Sequence, residues 1–257
     1  MIQVGAGIKD KVKLFLAALV ESNPLSRKIF PNTLNMYNIT VKMGISKFKV
    51  KDKASITVLD SSYETTSMKR LDLQQGDVFV DVGAHVGKYT IVAAAKVGDK
   101  GKVISVEPFP PNFALLKENV LLNRLGNVEV INVAAWNSSN QLRFFVGASS
   151  AHGGAYFNYD LDSIMVKAEK IDRIVADAEL SHVDWIKIDV EGAEYEVLQG
   201  LEETLDKFKP RLIVEVWQKN QNKVEKLLSK HNYVMSCISK GSKFRDDSYS
   251  DYLCMPE

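Results

Sequence analysis

The feature that most constrains the fold of this chain is an apolar run followed directly by a glycine turn and a helix-like segment. Residues 78–80 are VFV, residues 81–87 are DVGAHVG, and residues 88–96 are KYTIVAAAK. Glycines at such a turn let the main chain approach a ligand that a Cβ atom would push away. The following helix presents free N–H groups at its first turn. The combination is typical of a nucleotide-cofactor site in an α/β sheet.

From residue 77 onward, strand-like and helix-like segments alternate. Short turns between βα units favour a mainly parallel sheet with helices on both faces, which is a Rossmann-like α/β fold. The last two strand-like segments are expected to form an antiparallel pair. The predicted strands are 78–81, 103–107, 128–133, 185–189, 211–217, 233–238 and 249–255, and the predicted helices are 88–96, 110–122, 195–201 and 222–231.

The residues before this alternation have a different pattern. We predict two units: an N-terminal extension or cap over 1–72 and the main domain over 73–257. Seven apolar residues at 14–20 are too few to span a bilayer, so we expect no membrane span and a cytoplasmic location. Within the extension, we predict a helix over 8–21, β-like runs at 39–43, 45–50 and 54–59, and a helix over 61–71.

Charge and cysteine content narrow the function classes. The 257 residues include 33 basic and 32 acidic side chains, a formal net charge of +1, so the chain has no global field for nucleic acid or membranes. Five lysines within 42–53 are either a phosphate track or the solvated face of a hairpin. Cys237 and Cys254 lie in β-prone sequence, and we expect two buried free thiols.

One interval interrupts the alternation between the predicted third and fourth strands. It contains SSAHGGAY at 149–156, which has neither a strand nor a helix pattern. Insertions at the carboxyl end of a parallel sheet commonly shape the substrate side of a site. This stretch is therefore either such an insertion or a plain mobile loop.

Carboxylates recur where the predicted strands end: Asp81, Glu107, Asp189 and Glu215. In an open parallel sheet these ends lie at one edge, where ligands bind. A carboxylate removed from water is costly unless it has donors to bind, so the repetition predicts a shared site. Asp81 suits a cationic or hydroxyl-bearing cofactor better than a bare phosphate.

The nature of the cofactor follows from two further positions. Glu107 is placed to accept hydrogen bonds from two ribose hydroxyls, which fits NAD and S-adenosylmethionine alike. The dinucleotide fingerprint G-x-G-x-x-G has His85 at its second glycine position, where a pyrophosphate would meet the side chain. We therefore favour S-adenosylmethionine. Whether His85 lines the site or is structural stays open.

Three motifs in order give a specific resemblance: DVGAHVGKYT at 81–90, VEP at 106–108 and IKIDVEGAE at 186–194. Together they resemble the FkbM family of S-adenosylmethionine-dependent methyltransferases, over about residues 63–215. The resemblance implies a class I methyltransferase fold, with a seven-stranded sheet whose last strand is reversed. Many members of that family methylate oxygens of natural products or glycans. Residues 1–60 and 140–160 match no motif.

The resemblance also implies roles for individual residues. The glycine turn would hold the methionine part of the cofactor, Glu107 the ribose, and Ala135 and Trp136 the adenine. Asp189 would face the methionine amino group or the acceptor. The implied cofactor-binding residues are Glu64, Asp81, Gly83, Ala84, His85, Gly87, Tyr89, Thr90, Glu107, Pro108, Phe109, Ala135, Trp136 and Asp189.

Methylation of a hydroxyl also requires a group that removes its proton. Asp189 is the first candidate for this base, with Glu191 and Glu215 behind it. Asp189 and Glu215 end strands that should be neighbours, so they could converge on Mg²⁺, which prefers oxygen ligands. The sequence offers no clear third ligand. We therefore expect no metal site, while Mg²⁺ stays open.

The expected function is thus transfer of a methyl group from S-adenosylmethionine to a small-molecule or glycan hydroxyl, leaving S-adenosylhomocysteine. Two alternatives remain open. One is an RNA methyltransferase, acting on tRNA for example, with the 42–53 lysines as its phosphate track. The other is a non-catalytic protein that keeps the cofactor pocket. A homodimer is compatible with either.

Overall fold

The computed structural model describes residues 39–60, 64–147, 153–156, 162–244 and 247–257. The helix predicted over 8–21 and the first half of the 149–156 stretch lie outside these residues. In the described ranges, every helix is too short or too polar to cross a membrane.

The described elements follow one another in a mixed order of strands and helices. In chain order they are β1 (Ile39–Met43), β2 (Ser46–Val50), α1 (Lys53–Val58), α2 (Thr65–Arg70), β3 (Val78–Val82), α3 (Lys88–Val97), β4 (Lys102–Val106), α4 (Pro110–Leu122), β5 (Val128–Ile131), β6 (Ala134–Ala135), β7 (Asn140–Phe145), β8 (Ser163–Glu169), α5 (Ile171–Asp177), β9 (Trp185–Ile188), α6 (Glu194–Gln199), α7 (Glu202–Phe208), β10 (Arg211–Trp217), α8 (Gln221–Lys230), β11 (Tyr233–Phe244) and β12 (Asp247–Pro256).

Seven strands form the central sheet, in the order β11-β12-β10-β9-β3-β4-β5. The five strands from β10 to β5 are parallel, and β12 is antiparallel to both of its neighbours. The last strand of the chain is thus the reversed one, as the class I methyltransferase topology predicts. The central strands β3, β9 and β10 are buried on both faces, which explains why their sequences are nearly continuous apolar runs.

The register brings the carboxyl ends of the parallel strands to one edge. Val82 at the end of β3 pairs with Val106 on one side and with Ile188 on the other, and Ile188 pairs with Val214. The residues that follow these positions therefore lie side by side. This edge carries the predicted site.

The closing pair of strands contains both cysteines, and both are free thiols. Cys254 on β12 is buried, whereas Cys237 on β11 is exposed. The expectation of two buried thiols is wrong for Cys237, because β11 is the edge strand of the sheet and its outward positions contact water.

The predicted strand at 54–59 is also wrong, because this segment is the helix α1. Three consecutive β-branched residues, Ile56, Thr57 and Val58, give it a strand-like composition. Asp52 overrides that preference, because its carboxylate accepts the Ser55 N–H at 2.7 Å as a helix N-cap.

The interval between the predicted third and fourth strands contains elements that the sequence analysis did not find. A three-stranded sheet forms in the order β6-β8-β7, and α5 follows it. Phe144, Val166 and Ala168 alternate toward a small apolar core beside Ala134. β7 and β8 are far apart in sequence, so their pairing left no hairpin signal.

The β1–β2 hairpin is fixed to the main domain by Asn119 of α4 and by Asn123, the C-cap residue of that helix. Asn119 is fully buried; its carbonyl accepts the Lys49 N–H at 2.6 Å, and its amide donates to Lys49 O at 3.2 Å and Val86 O at 2.9 Å. One turn later, Asn123 makes the matching pair of bonds with Lys47 at 2.8 and 2.6 Å. The two amides thus take the place of a neighbouring strand. The boundary at residue 72 stays a prediction.

We expect Asn119→Ala to lower the free energy of unfolding by about 2–4 kcal/mol, because it leaves several buried main-chain groups without partners. Asn123→Ala should cost no more than about 1 kcal/mol, because water reaches the exposed Lys47 groups. Urea denaturation of the two variants measures both values. Equal losses would contradict the proposed role of burial.

Candidate functional site

A cavity of about 430 Å³ opens at the carboxyl edge of the central sheet. Its volume is within the range of roughly 300–1,000 Å³ that is usual for small-molecule sites. All three predicted base candidates line it: Asp189, Glu191 and Glu215. So do most of the predicted cofactor-binding residues: Glu64, Asp81, Gly83, Ala84, His85, Tyr89, Glu107, Pro108, Phe109, Ala135 and Trp136.

The glycine turn owes its composition to neighbouring protein atoms as well as to the cavity. Gly83 has a φ of +82°, and a Cβ atom there would lie 1.8 Å from the carbonyl oxygen of Asp189. Gly87 has a φ of +93°, and its Cβ would lie 2.5 Å from Leu116 Cδ1. Gly87 does not line the cavity. The packing of α3 against α4 therefore requires glycine at position 87, while contact of Gly87 with the cofactor stays a prediction.

Glu107 is buried directly beneath the turn. Its carboxylate accepts the main-chain N–H of His85 at 2.8 Å and of Phe109 at 3.0 Å, and the Asn112 amide lies at 3.5 Å. Burial raises the pKa of Glu107 to about 7, although these donors oppose the shift. The carboxyl group is thus fixed in position at the cavity wall, where it can accept a hydrogen bond from a ligand hydroxyl.

Asp81 is held by the hydroxyl of Thr90, which is itself hydrogen-bonded to the hydroxyl of Ser105. Thr90 donates to Asp81 Oδ2 at 2.6 Å and lies 2.8 Å from the Ser105 hydroxyl. Thr90 is fully buried and is not among the residues that line the cavity, so its contact with the cofactor stays a prediction. Its position one helical turn behind the glycine turn directs it into the core, where it orients Asp81. Burial raises the pKa of Asp81, and the nearby Lys187 opposes this.

Lys187 is the main site residue that the sequence analysis missed. It is buried; its Nζ lies 2.9 Å from Asp189 Oδ2 and 4.5 Å from the centre of the Tyr89 ring. Burial disfavours its charge, but Asp189 and Glu64 outweigh this and hold the pKa of Lys187 well above its ordinary value. The signal was present in the sequence, because a lysine in the otherwise apolar strand WIKI needs a buried partner.

Glu64 reaches the cavity from the N-terminal side. It lies just before α2 with a φ of +52°, and its Oε2 is 3.6 Å from the Nζ of the buried Lys88. The hydroxyl of Ser67 on α2 donates to Asp251 on β12, which holds the helix on the central sheet. Burial lowers the pKa of Lys88, whereas Glu64 opposes the shift. Residues far apart in sequence thus close one side of the site.

Three carboxylates meet above the strand ends. One oxygen each from Glu64, Asp189 and Glu215 lies within 4.8 Å of the other two. Burial raises the pKa of Glu215 well above its ordinary value, and the charge of Asp189 adds to this. Glu191 follows the same pattern, again with burial first and Asp189 second. The site concentrates more negative charge than its two lysines balance.

Aromatic rings surround the outer part of the site. Trp136 and Tyr156 have their ring centres 5.9 Å apart, and Trp217 and Tyr249 have theirs 6.3 Å apart. The Nζ of Lys219 lies 5.8 Å from the Tyr156 ring and 5.1 Å from the Trp217 ring. These residues form an aromatic rim beside the carboxylates.

A family model for the methyltransferase FkbM domain matches residues 81–235, more than half of the chain. The chain belongs to the FkbM methyltransferase family. This confirms the resemblance found in the three motifs. The FkbM match begins at the glycine turn and ends within β11, so it includes the cavity edge of every parallel strand but leaves the N-terminal hairpin outside.

Two relatives of this FkbM-family chain are similar over about half of its length. It is 30% identical over 135 residues to hexuronic acid methyltransferase AglP of Haloferax volcanii, and the aligned region covers 52% of this chain and 54% of that protein. It is 26% identical over 164 residues to 31-O-demethyl-FK506 methyltransferase FkbM of Streptomyces tacrolimicus, which covers 52% and 62%. The chain thus spans little more than half the length of these relatives.

A solved FkbM structure shares the fold. Methyltransferase FkbM from Methylobacillus flagellatus KT superimposes with a TM-score of 0.51 and 18% identity, over 72% of this chain and 45% of that one.

Proposed function

We propose that this FkbM-family chain binds S-adenosylmethionine in the cavity and transfers its methyl group to an oxygen of a small molecule or glycan. The observation that carries this proposal is Glu107, whose buried carboxyl accepts the main-chain N–H of His85 in the glycine turn and of Phe109 at the cavity wall. That arrangement suits a ribose diol. The family to which the chain belongs supports the methyl-transfer chemistry.

The residues present fit this cofactor better than a dinucleotide. S-adenosylmethionine has an ammonium and a sulfonium group, and carboxylates favour such cations over the phosphates of NAD. Asp81 is placed to accept from the ammonium group, and Glu107 from the ribose. A pyrophosphate would instead meet the His85 side chain and this acidic wall, so the donor set argues against NAD.

We expect Glu107→Gln to weaken the binding of S-adenosylhomocysteine by about 1–3 kcal/mol, because the amide disrupts both main-chain bonds and the ribose contacts. Isothermal titration calorimetry measures the change. Glu118→Gln is the matched control, because Glu118 is on the outside of α4 and forms an ion pair with Lys49. The affinity of this variant for S-adenosylhomocysteine should stay at the wild-type value. Equal affinities in the two variants would remove Glu107 from the ribose site.

When bound, the cofactor supplies a methyl group on a positively charged sulfur. The acceptor oxygen attacks the methyl carbon while the carbon–sulfur bond breaks, and the hydroxyl proton has to pass to a base. We propose Glu191 for this role, ahead of Asp189, whose carboxylate already receives the Lys187 ammonium at 2.9 Å. Burial raises the pKa of Glu191, which makes its carboxylate a stronger base than that of an ordinary glutamate. Lys187 then serves to position Asp189.

The acceptor class follows from the rim of the site. Flat aromatic faces such as those of Trp136 and Tyr156 pack against the C–H face of a sugar ring or a macrocycle. Incubation with methyl-labelled cofactor and a panel of methyl glycosides, hexuronides and macrolides tests this proposal. A methyl ether on one of these compounds is the expected product. Methylation of tRNA and of none of them would contradict it.

The RNA alternative is weakened by the hairpin lysines. Lys49 and Lys51 both form ion pairs with Glu118, at 3.3 and 3.5 Å, so part of the suggested phosphate track is already in use. A salt-dependent shift with bulk tRNA would revive this alternative. Cofactor binding without transfer to any acceptor would favour the non-catalytic one. A cytoplasmic location and a homodimer stay predictions.

A further inference from the structure

We propose that Glu64, Asp189 and Glu215 bind one divalent cation of the Mg²⁺ or Mn²⁺ type at the acceptor side of the cavity. The cation would receive two neighbouring oxygens of the acceptor, as a vicinal diol or a hydroxy acid offers them. This second statement rests on the proposed methyl transfer; the cation site itself does not. Glu64 is the third ligand, in addition to the Asp189 and Glu215 pair expected from the sequence.

The first argument is geometric. The three side chains come from the segment before α2 and from the ends of β9 and β10, and one oxygen of each lies within 4.8 Å of the others. Oxygen ligands lie about 2.0–2.6 Å from Mg²⁺ or Ca²⁺, so two oxygens on one ion are at most about 4–5 Å apart. An ion therefore needs only small side-chain movements to join all three.

The second argument is the state of Glu215. Its side chain is only 8% exposed, yet it lines the cavity. In the part of the chain that the structure describes, it makes no hydrogen bond and no ion pair. A carboxylate in such surroundings costs several kcal/mol unless a cation or donors compensate it. Glu215 is thus a buried acid directed at the point where Glu64 and Asp189 also converge.

The third argument is the charge of the whole cavity. Its described lining contains two lysines, Lys88 and Lys187, against six carboxylates: Glu64, Asp81, Glu107, Asp189, Glu191 and Glu215. The lysines contact Glu64 and Asp189, and neither forms an ion pair with Glu215. S-adenosylmethionine brings a net charge of only one positive unit. A divalent cation beside Glu215 would stabilise the ionised form of this buried acid, which neither lysine does by direct contact.

A cation at this point gives the neighbouring acids different roles. Hard divalent cations keep open positions for water or substrate oxygens, so the ion orients the acceptor without enclosing it. With Asp189 and Glu215 as ligands, Glu191 remains as the half-buried carboxylate beside them and takes the hydroxyl proton. The acidic wall also disfavours an acceptor that presents an uncompensated anion at this point.

The test is a titration of the full chain with Mn²⁺, followed by electron paramagnetic resonance of free Mn²⁺, with and without saturating S-adenosylhomocysteine. We expect one Mn²⁺ per chain, displaced by Mg²⁺, and an affinity at least about tenfold weaker in Glu215→Gln. Glu107→Gln is the control, because Glu107 follows β4, three strands away from β10 in the sheet, and its carboxylate is held by the His85 and Phe109 N–H groups. The Mn²⁺ affinity of this variant should change less than about twofold. Thermal unfolding confirms that both variants fold.

The outcomes separate the two proposals. No Mn²⁺ binding, or the same affinity in Glu215→Gln, overturns the cation site even if S-adenosylhomocysteine binds. Mn²⁺ bound without S-adenosylhomocysteine, and weakened by Glu215→Gln, supports the cation site even if the cofactor does not bind, in which case the proposed function fails by itself.

Discussion

Glu191→Gln should lower kcat for methyl transfer by about 10²–10⁴-fold, the usual contribution of a positioned general base. Glutamine keeps the shape of the side chain but cannot take the acceptor proton. The affinity for S-adenosylhomocysteine should stay within about twofold, because Glu191 lies on the acceptor side. Single-turnover kinetics with labelled cofactor give the rate, and calorimetry gives the affinity.

The pH profile provides the control. A base acts only when deprotonated, and burial beside Asp189 raises the pKa of Glu191 well above its ordinary value. The wild-type rate should therefore be low in acid, rise with pH through this raised pKa, and then level off. Glu191→Gln should lose that rising limb. An unchanged profile in the variant would assign the base to another group.

Gly83→Ala should lower the free energy of unfolding by about 3–5 kcal/mol. Its Cβ atom would lie 1.8 Å from the carbonyl oxygen of Asp189, and a main-chain atom cannot move aside as a flexible side chain can. The φ of +82° adds strain for any residue with a Cβ. Since the displaced atom belongs to Asp189, cofactor binding and methyl transfer should also fall.

Gly76→Ala separates strain from collision. Gly76 has a φ of +93°, but a Cβ there would meet no atom within 4 Å. Its loss should be about 1–2 kcal/mol, the cost of the left-handed backbone alone. Guanidinium denaturation of both variants gives the comparison. If the two losses were equal, contact with the Asp189 carbonyl would not be what requires glycine at position 83.

The central sheet was predictable because its strands carry their own signal. Apolar runs such as Arg211–Trp217 are buried on both faces, and short turns connect them to helices. The sequence predicted the wrong element at 54–59, because β-branched composition concealed the cap of Asp52. It also missed β7 and β8, whose pairing spans a long insertion and has no local turn signature.

The site was predictable as far as strand ends could define it. Asp81 and Glu215 lie within the last three residues of their parallel strands, and Glu107 and Asp189 directly follow theirs. Their convergence is therefore a consequence of topology. The strand WIKI shows that Lys187 needs a buried partner, but the identity of the partners of Lys187 and Lys88 was not predictable. These ion pairs depend on side-chain directions and on Glu64, which comes from outside the sheet. The motif also includes Thr90 and Gly87, which do not line the cavity, because a sequence motif does not show which of its residues face a ligand.

The most direct test of the central claim is calorimetric titration of the chain with S-adenosylhomocysteine. We expect one molecule of S-adenosylhomocysteine to bind per chain, with a dissociation constant well below about 1 mM, which corresponds to more than about 4 kcal/mol of binding free energy. NAD should bind far more weakly under the same conditions. No detectable binding of S-adenosylhomocysteine at millimolar concentration, or tighter binding of NAD, would contradict it.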